Sequence, residues 1–430
     1  MLKRVAVSDV QMGMFIHKME GNWFKHPFWK SKFLLDDPEN LDDLRASYVE
    51  TVIIDTAKGK DILRAPQSAS AAAASSPRKD TRPASERLAS SRVASLKSRQ
   101  SVDLRSTAPT STAKETKTAA VVADKAQKVI AKAFGDARLG KTVNMRKVEP
   151  LVEDIYASLR RNPHAFSGLM RCKLNNEFVY RHALAVSALM VSLACKMKLS
   201  PDLVREAGMA GLFLDIGVNR LPKDAAAPNG DYSNAPPHIW QQHVQYGEQA
   251  LAEAGGFPEA VVGACLQHHE RMDGSGFPNG LKGDQIGQLA RMAAICDSFN
   301  YMLVDGDGSA AMDPAEAVSR LRDMCDKFDP VILRHFVEAV GIYPVGSFVR
   351  LRSDRLAMVI DEDPEDVDQP TVSTFYSLET NERILPTKIE LARCYGKDAI
   401  VGIADLSGLV LPEPEQLREL IFLQTHKLKK

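Results

Sequence analysis

His268-His269-Glu270-Arg271-Met272-Asp273-Gly274-Ser275-Gly276-Phe277-Pro278 decides how the rest of this chain is read. Two adjacent imidazoles diverge from one backbone and run straight into a glycine-rich turn, whose open backbone can admit an anionic ligand. Outward from this stretch, His182, Asp215, His243 and Asp297 stand at helix ends and turns of an otherwise apolar region. Imidazole and carboxylate suit iron, manganese or zinc, and a site for two ions needs about this many donors. Taken singly, His182 and His243 read as ordinary core histidines; the adjacent pair does not.

Bulk properties narrow the class. The 430 residues are 44% hydrophobic and 26% charged, enough for two or three domains with cores of their own. Lys plus Arg equal Asp plus Glu at 55 each, so no global basicity points to DNA. Cys172, Cys195, Cys265, Cys296, Cys325 and Cys394 form no CxxC pair or even framework, which fits a reducing compartment. No signal-peptide core opens the sequence, and no run of 18 apolar residues occurs, so a cytoplasmic protein without membrane insertion is expected.

Periodicity divides the chain into four. Residues 1–64 alternate short apolar runs with turn residues, and predict a small α+β domain with one helix near Leu41 to Ala46. Residues 65–118 turn to Ala, Ser, Thr, Arg and Pro, too poor in large apolar groups to offset ordering entropy, and read as a disordered linker. From 66 to 118 there are ten basic and four acidic residues, a local excess of +6. Residues 119–342 carry a helical period. Val122, Ala126, Val129, Ile130 and Ala133 make one stripe, which either pairs two protomers or packs within its own domain. Leu184 to Met197 is apolar on nearly every side, as a helix inside a multi-helix core must be. Residues 343–430 predict a small β-rich module, with Ser347–Leu351 and Leu356–Ile360 as paired strands and a helix from Glu413 to His426.

The order His182, Asp215, His243 with Gly247, the His268-to-Pro278 stretch and Asp297 resembles the HD-GYP family, metal-dependent phosphohydrolases of bacterial cyclic di-GMP signalling. Residues 1–60, with Gly13-Met14-Phe15-Ile16, resemble the small domain that often precedes it, and Tyr343-Pro344-Val345-Gly346 resembles the start of its tail module. The resemblance implies a mainly α fold, an HD-superfamily helix bundle between these two modules. It implies metal ligation by His182, Asp215, His243, His268, His269 and Asp297, with Asp215 the catalytic, bridging carboxylate. It also implies one or two divalent ions, iron or manganese, and hydrolysis of cyclic di-GMP to pGpG or GMP. Arg271, Asp273, Gly274 and Gly276 are the expected substrate contacts.

The chain departs from the family at several of these positions. Leu214 stands where a histidine precedes Asp215, and Val218 where a lysine is expected. Phe178 replaces the carboxylate some members carry four residues before His182, and Glu177 is about 100° away around a helix. Phe277 keeps the ring of the signature tyrosine without its hydroxyl, a conservative change that does not count against activity, but Tyr301 to Gly308 contains Asp305 and Asp307 where relatives are basic. General acid–base help is worth about 10²–10⁴ in rate, so these losses predict a weakly active or inactive domain acting by binding. Its partners would be cyclic di-GMP, a related dinucleotide, or a signalling protein such as a diguanylate cyclase. The alternative readings are an active phosphodiesterase and a scaffold without ligand.

Overall fold

A computed structural model describes residues 2–20, 33–35, 41, 44–45, 51–60, 107–172, 178–225, 232, 235–304, 311–363, 366, 368–394 and 396–428. It divides into two units, Met1–Asp103 and Leu104–Lys430. The expected disordered linker, apart from its last residues, lies outside the described residues.

In the first unit, strands β1 (Leu2–Ala6), β2 (Phe15–Glu20), β3 (Phe33–Leu34) and β4 (Thr51–Asp55) form an antiparallel sheet in the order β1-β4-β2-β3. Alternation does the work: on β4 Val52 and Ile54 turn inward and meet Val5, Met14 and Ile16 in one cluster. Leu44, from the short helical segment expected near Leu41, closes that cluster.

The second unit opens with helix α1 (Thr112–Arg138), so the sequence boundary at 118 falls inside a helix. Composition misled there because the first turn is fixed by polar rather than apolar contacts. Glu115 receives hydrogen bonds from Arg161 Nε (2.6 Å), Arg161 Nη2 (2.8 Å) and Ser158 Oγ (2.7 Å), all buried. Val122, Ala126, Ile130 and Ala133 are buried within their own chain, which removes this stripe as a dimer face.

Helices α2 (Met145–Arg161), α3 (Ala165–Cys172), α4 (Phe178–Lys196) and α5 (Pro201–Phe213) follow. The apolar α4 is the central helix, with Leu184, Val186, Met190, Val191 and Leu193 buried. It lies tightly against α5: a Cβ on Gly211 would stand 2.6 Å from the Ser187 Cα, so only glycine permits this crossing. Ser187 Oγ donates to the Gly208 carbonyl at 2.7 Å across the same contact. The close approach brings the end of α5, where Asp215 follows, beside His182 on α4.

Short α6 (Pro237–Trp240), then α7 (Gln242–Ala254), α8 (Glu259–Gln267), α9 (Gln288–Met302), α10 (Pro314–Asp323) and α11 (Pro330–Val340) complete the helical body. Asp313 and Asp329 accept backbone hydrogen bonds at the starts of α10 and α11, each followed by proline at the first helical position. The chain then forms an antiparallel sheet of β5 (Phe348–Leu351), β6 (Arg355–Asp361), β7 (Thr371–Ser377), β8 (Glu382–Glu390) and β9 (Ile400–Ile403), in the order β8-β7-β6-β5-β9. The expected strand pair is present, with Phe348 opposite Met358. Helix α12 (Pro414–His426) closes the module, and its Arg418 Nε donates to the Gly346 carbonyl at 2.8 Å. The molecule has the mainly helical class, with flanking antiparallel sheets, that its sequence predicts. No helix among the described residues is long and apolar enough to cross a membrane.

Candidate metal centre

Five separate elements deliver six side chains to one place. His182 comes from α4, Asp215 from the turn after α5, His243 from the first turn of α7, His268 and His269 from the end of α8, and Asp297 from the middle of α9. Two triads result, His243-His268-His269 and His182-Asp215-Asp297, each with donor atoms within 4.8 Å of one another. Asp215 touches both. Its Oδ2 lies 3.3 Å from His182 Nε2, while its Oδ1 lies 3.5 Å from His243 Nε2 and 3.8 Å from His268 Nε2. Asp297 Oδ1 completes the second triad at 2.9 Å from His182 Nε2.

Backbone geometry makes this convergence affordable. A Cβ on Gly217 would sit 2.0 Å from the His243 carbonyl oxygen and 2.4 Å from the Gly247 amide nitrogen. Glycine at 217 therefore lets the turn carrying Asp215 press against the helix carrying His243.

The protonation pattern suits ligation. His243 Nδ1 donates to the Trp240 carbonyl at 2.6 Å and His268 Nδ1 to the Cys265 carbonyl at 2.8 Å. Both rings thus present an Nε2 lone pair inward, the second layer of bonds that fixes a metal-binding tautomer. Burial pushes His243 down to about 4 and lowers both His268 and His269, so all three are neutral near pH 7. Burial also raises Asp215. For His182, burial opposes the charge, but the Asp297 hydrogen bond and the two carboxylates outweigh it and raise its pKa. For Asp297 burial is likewise overcome, by the His182 hydrogen bond and the surrounding imidazoles, and its carboxyl is held well below the usual range.

One atom tests whether a cation fits. His269 Nε2 is buried and has no hydrogen-bond partner. An unpaired buried ring nitrogen costs about 1–3 kcal/mol unless something accepts its lone pair. Neutral imidazoles beside carboxylates form the donor set for a divalent transition ion, so the residues fit one.

The expected substrate residues are placed differently from one another. Arg271 turns inward: its Nη1 donates to the His268 and Glu270 carbonyls at 3.1 and 3.0 Å, its Nη2 to Ser298 Oγ at 3.3 Å, and it lies over the Phe328 ring. Asp273 Oδ1 accepts from the Ser275 amide at 2.8 Å and shapes the turn. Gly274 has φ +80°, with the Lys282 stem lying across it. Gly276 packs directly under the His269 carbonyl. Leu214 and Val218 are buried. Glu177, the Phe178 side chain and residues 305–308 lie outside the described residues.

Sequence reading missed Asn300 and Trp240 and assigned no structural role to Glu270. Asn300 Nδ2 lies 2.8 Å from His182 Nδ1, and its spacing of three from Asp297 on one helix was a legible signal. Buried Glu270 accepts from the Asn279 and Leu281 amides at 2.7 and 3.0 Å and clamps the glycine-rich loop. Trp240 and Phe277 flank His269, with ring centroids 6.5 and 4.6 Å away.

A family model described as HD domain matches residues 170–332, and one described as a domain of unknown function (DUF3391) matches residues 2–148. A cyclic di-GMP phosphodiesterase of Pseudomonas aeruginosa, PA4108, is 37% identical over 403 residues, 94% of this chain and 92% of that protein. The chain belongs to the HD-GYP family. Another relative is a 3'3'-cGAMP-specific phosphodiesterase of Vibrio cholerae, 27% identical over 157 residues, 36% of this chain and 36% of that one. Among solved structures, the HD-GYP-like Bd1817 of Bdellovibrio bacteriovorus aligns with a TM-score of 0.42 and 17% identity over 79% of this chain and 99% of that one. As an HD-GYP chain it carries its two donor triads within the residues that the HD domain model matches.

Proposed function

We propose that this HD-GYP chain is a metal-dependent phosphodiesterase that opens cyclic di-GMP or a closely related cyclic dinucleotide. The observation that carries this reading is Asp215, whose two carboxylate oxygens face different imidazole groups, as a carboxylate shared between two cations must. His182, Asp215 and Asp297 would hold one ion, and His243, His268 and His269 with Asp215 a second, iron or manganese. Bound divalent ions polarise a phosphoryl oxygen and lower the pKa of a bound water from about 15.7 toward about 7. The chain's own residues keep three imidazoles neutral, fix two tautomers through the Trp240 and Cys265 carbonyls, and shield His269 between aromatic rings. The substrate class is supported by the names of the relatives, which hydrolyse cyclic di-GMP or 3'3'-cGAMP.

Leu214 and Val218 favour a second reading, in which the site binds the dinucleotide, or the chain binds a signalling protein such as a diguanylate cyclase, with little turnover. Both side chains are buried and apolar beside Asp215. Elemental analysis of anaerobically purified protein, run with a cyclic di-GMP hydrolysis assay beside a Leu214→His/Val218→Lys double variant, separates the two. About two metals per chain and linear product formation by the native protein support the first. Metal loading and turnover by the double variant alone overturn it. A four-part division in which the helical domain begins at Thr112 rather than at residue 119, with residues 1–64 acting as an adaptor, is also proposed. A pulldown in which a chain lacking 1–64 keeps every partner would overturn that role.

A further inference from the structure

Two aromatic rings, Trp240 and Phe277, pack against histidines of the donor cluster. Trp240 and Phe277 are both half-buried and stand on either side of His269. The Trp240 ring centroid is also 4.3 Å from that of His243. Phe277 lies nearly parallel to His269, at 22°, and Trp240 is tilted by 36° against His243 and by 64° against His269, so each ring has one face toward an imidazole. The guanidinium nearest the cluster, Arg271, uses its nitrogens on the His268 and Glu270 carbonyls and Ser298. The position where the family has a lysine is Val218. Among the described residues, Arg271 and position 218 therefore offer the phosphates little cationic recognition, which leaves binding energy to come from another part of the ligand.

A cyclic purine dinucleotide offers two large aromatic faces, and base–aromatic stacking holds nucleotides without any cation. Trp240 has the position for it. Its backbone carbonyl is fixed by the His243 Nδ1–H, so the indole is anchored at its root, and the residue is only half-buried. We infer that Trp240 is a specificity-determining residue that stacks a purine base of the substrate at the rim of the donor cluster. This rests on the cyclic-dinucleotide reading above.

The test compares native protein with Trp240→Ala and Trp240→Phe, each metal-loaded. Three quantities are read: metal content by elemental analysis, the dissociation constant for cyclic di-GMP by calorimetry, and the ratio of kcat/KM for cyclic di-GMP to that for bis(p-nitrophenyl) phosphate, which has no purine. Removing one base–aromatic stack weakens binding by about tenfold to a hundredfold. The inference expects that loss in Trp240→Ala, a fall in the selectivity ratio, native metal content, and recovery of most of the affinity in Trp240→Phe. Unchanged affinity in Trp240→Ala overturns it. Loss of metal in Trp240→Ala also overturns it, because the ring would then serve to hold His243. Native protein that binds cyclic di-GMP without cleaving it sinks the hydrolase reading, while the ratio of dissociation constants still decides the role of Trp240. Native protein that binds no cyclic dinucleotide overturns both.

Discussion

Two buried polar assemblies in the second unit are built on opposite plans. At the Glu115–Arg161 pair, every carboxylate oxygen of Glu115 is met by donors from Arg161 and Ser158, and the network closes upon itself. At the six-residue cluster, His269 Nε2 has no partner, three imidazoles are held neutral, and two tautomers are fixed so that lone pairs point at one another. His243 Nε2 and His268 Nε2 stand only 3.4 Å apart, although neither has a proton to give the other. A closed network ties helices together; an open one, at equal burial, is shaped for something absent from the chain itself.

The sharpest way to break this contrast is Asp215→Asn, which keeps size and removes the shared charge. Metal content measured by elemental analysis should fall, and cyclic di-GMP hydrolysis should drop by about 10³-fold, the several kcal/mol that such ions contribute to a transition state. Full metal content with native turnover would mean that the cluster is as structural as the pair. The reciprocal change, Arg161→Met, leaves Glu115 buried without its cation. Chemical denaturation should show a loss of about 3–5 kcal/mol, while hydrolysis per folded molecule stays native.

Acidity separates the assemblies next. His243 is held at about 4 against an ordinary 6.5, so the unfolded chain binds more protons between these values. The contribution of His243 to the stability of the metal-free protein should therefore be fully present above about 6.5 and decline as the pH falls toward about 4, with His268 and His269 acting in the same direction and the raised His182 and Asp215 in the opposite one. Thermal melts across that range, repeated with His243→Gln, should show a shallower decline in the variant. The smallest effect is expected at Phe277→Tyr. The ring is half-buried and keeps its stacking on His269, so melts should place the change within about 0.5 kcal/mol.

Much of this was legible in one sequence. The alternation in 51–55, the helical stripe at Val122 to Ala133 and the all-round apolar segment at Leu184 to Met197 are local periodicities, and local periodicity dictates which face is buried. The donor residues stood out because adjacent histidines before a glycine-rich turn serve no purpose in an apolar core. The start of α1 was misread because Glu115 is ordered by Arg161, 46 positions away, and no window of sequence contains both.

The sequence by itself therefore determined the class of the fold, which depends on residue type and short-range spacing, and through its resemblance to the HD-GYP family it named six candidate donors. Only the tertiary structure decided that the Val122 stripe packs inside its own chain, that Arg271 bonds the His268 and Glu270 carbonyls, and that Trp240 and Asn300 stand beside the cluster. Those are matters of distance between segments far apart in the chain. They are set by how closely helices can approach at Gly211 and Gly217, a steric property that becomes visible only once the helices are packed.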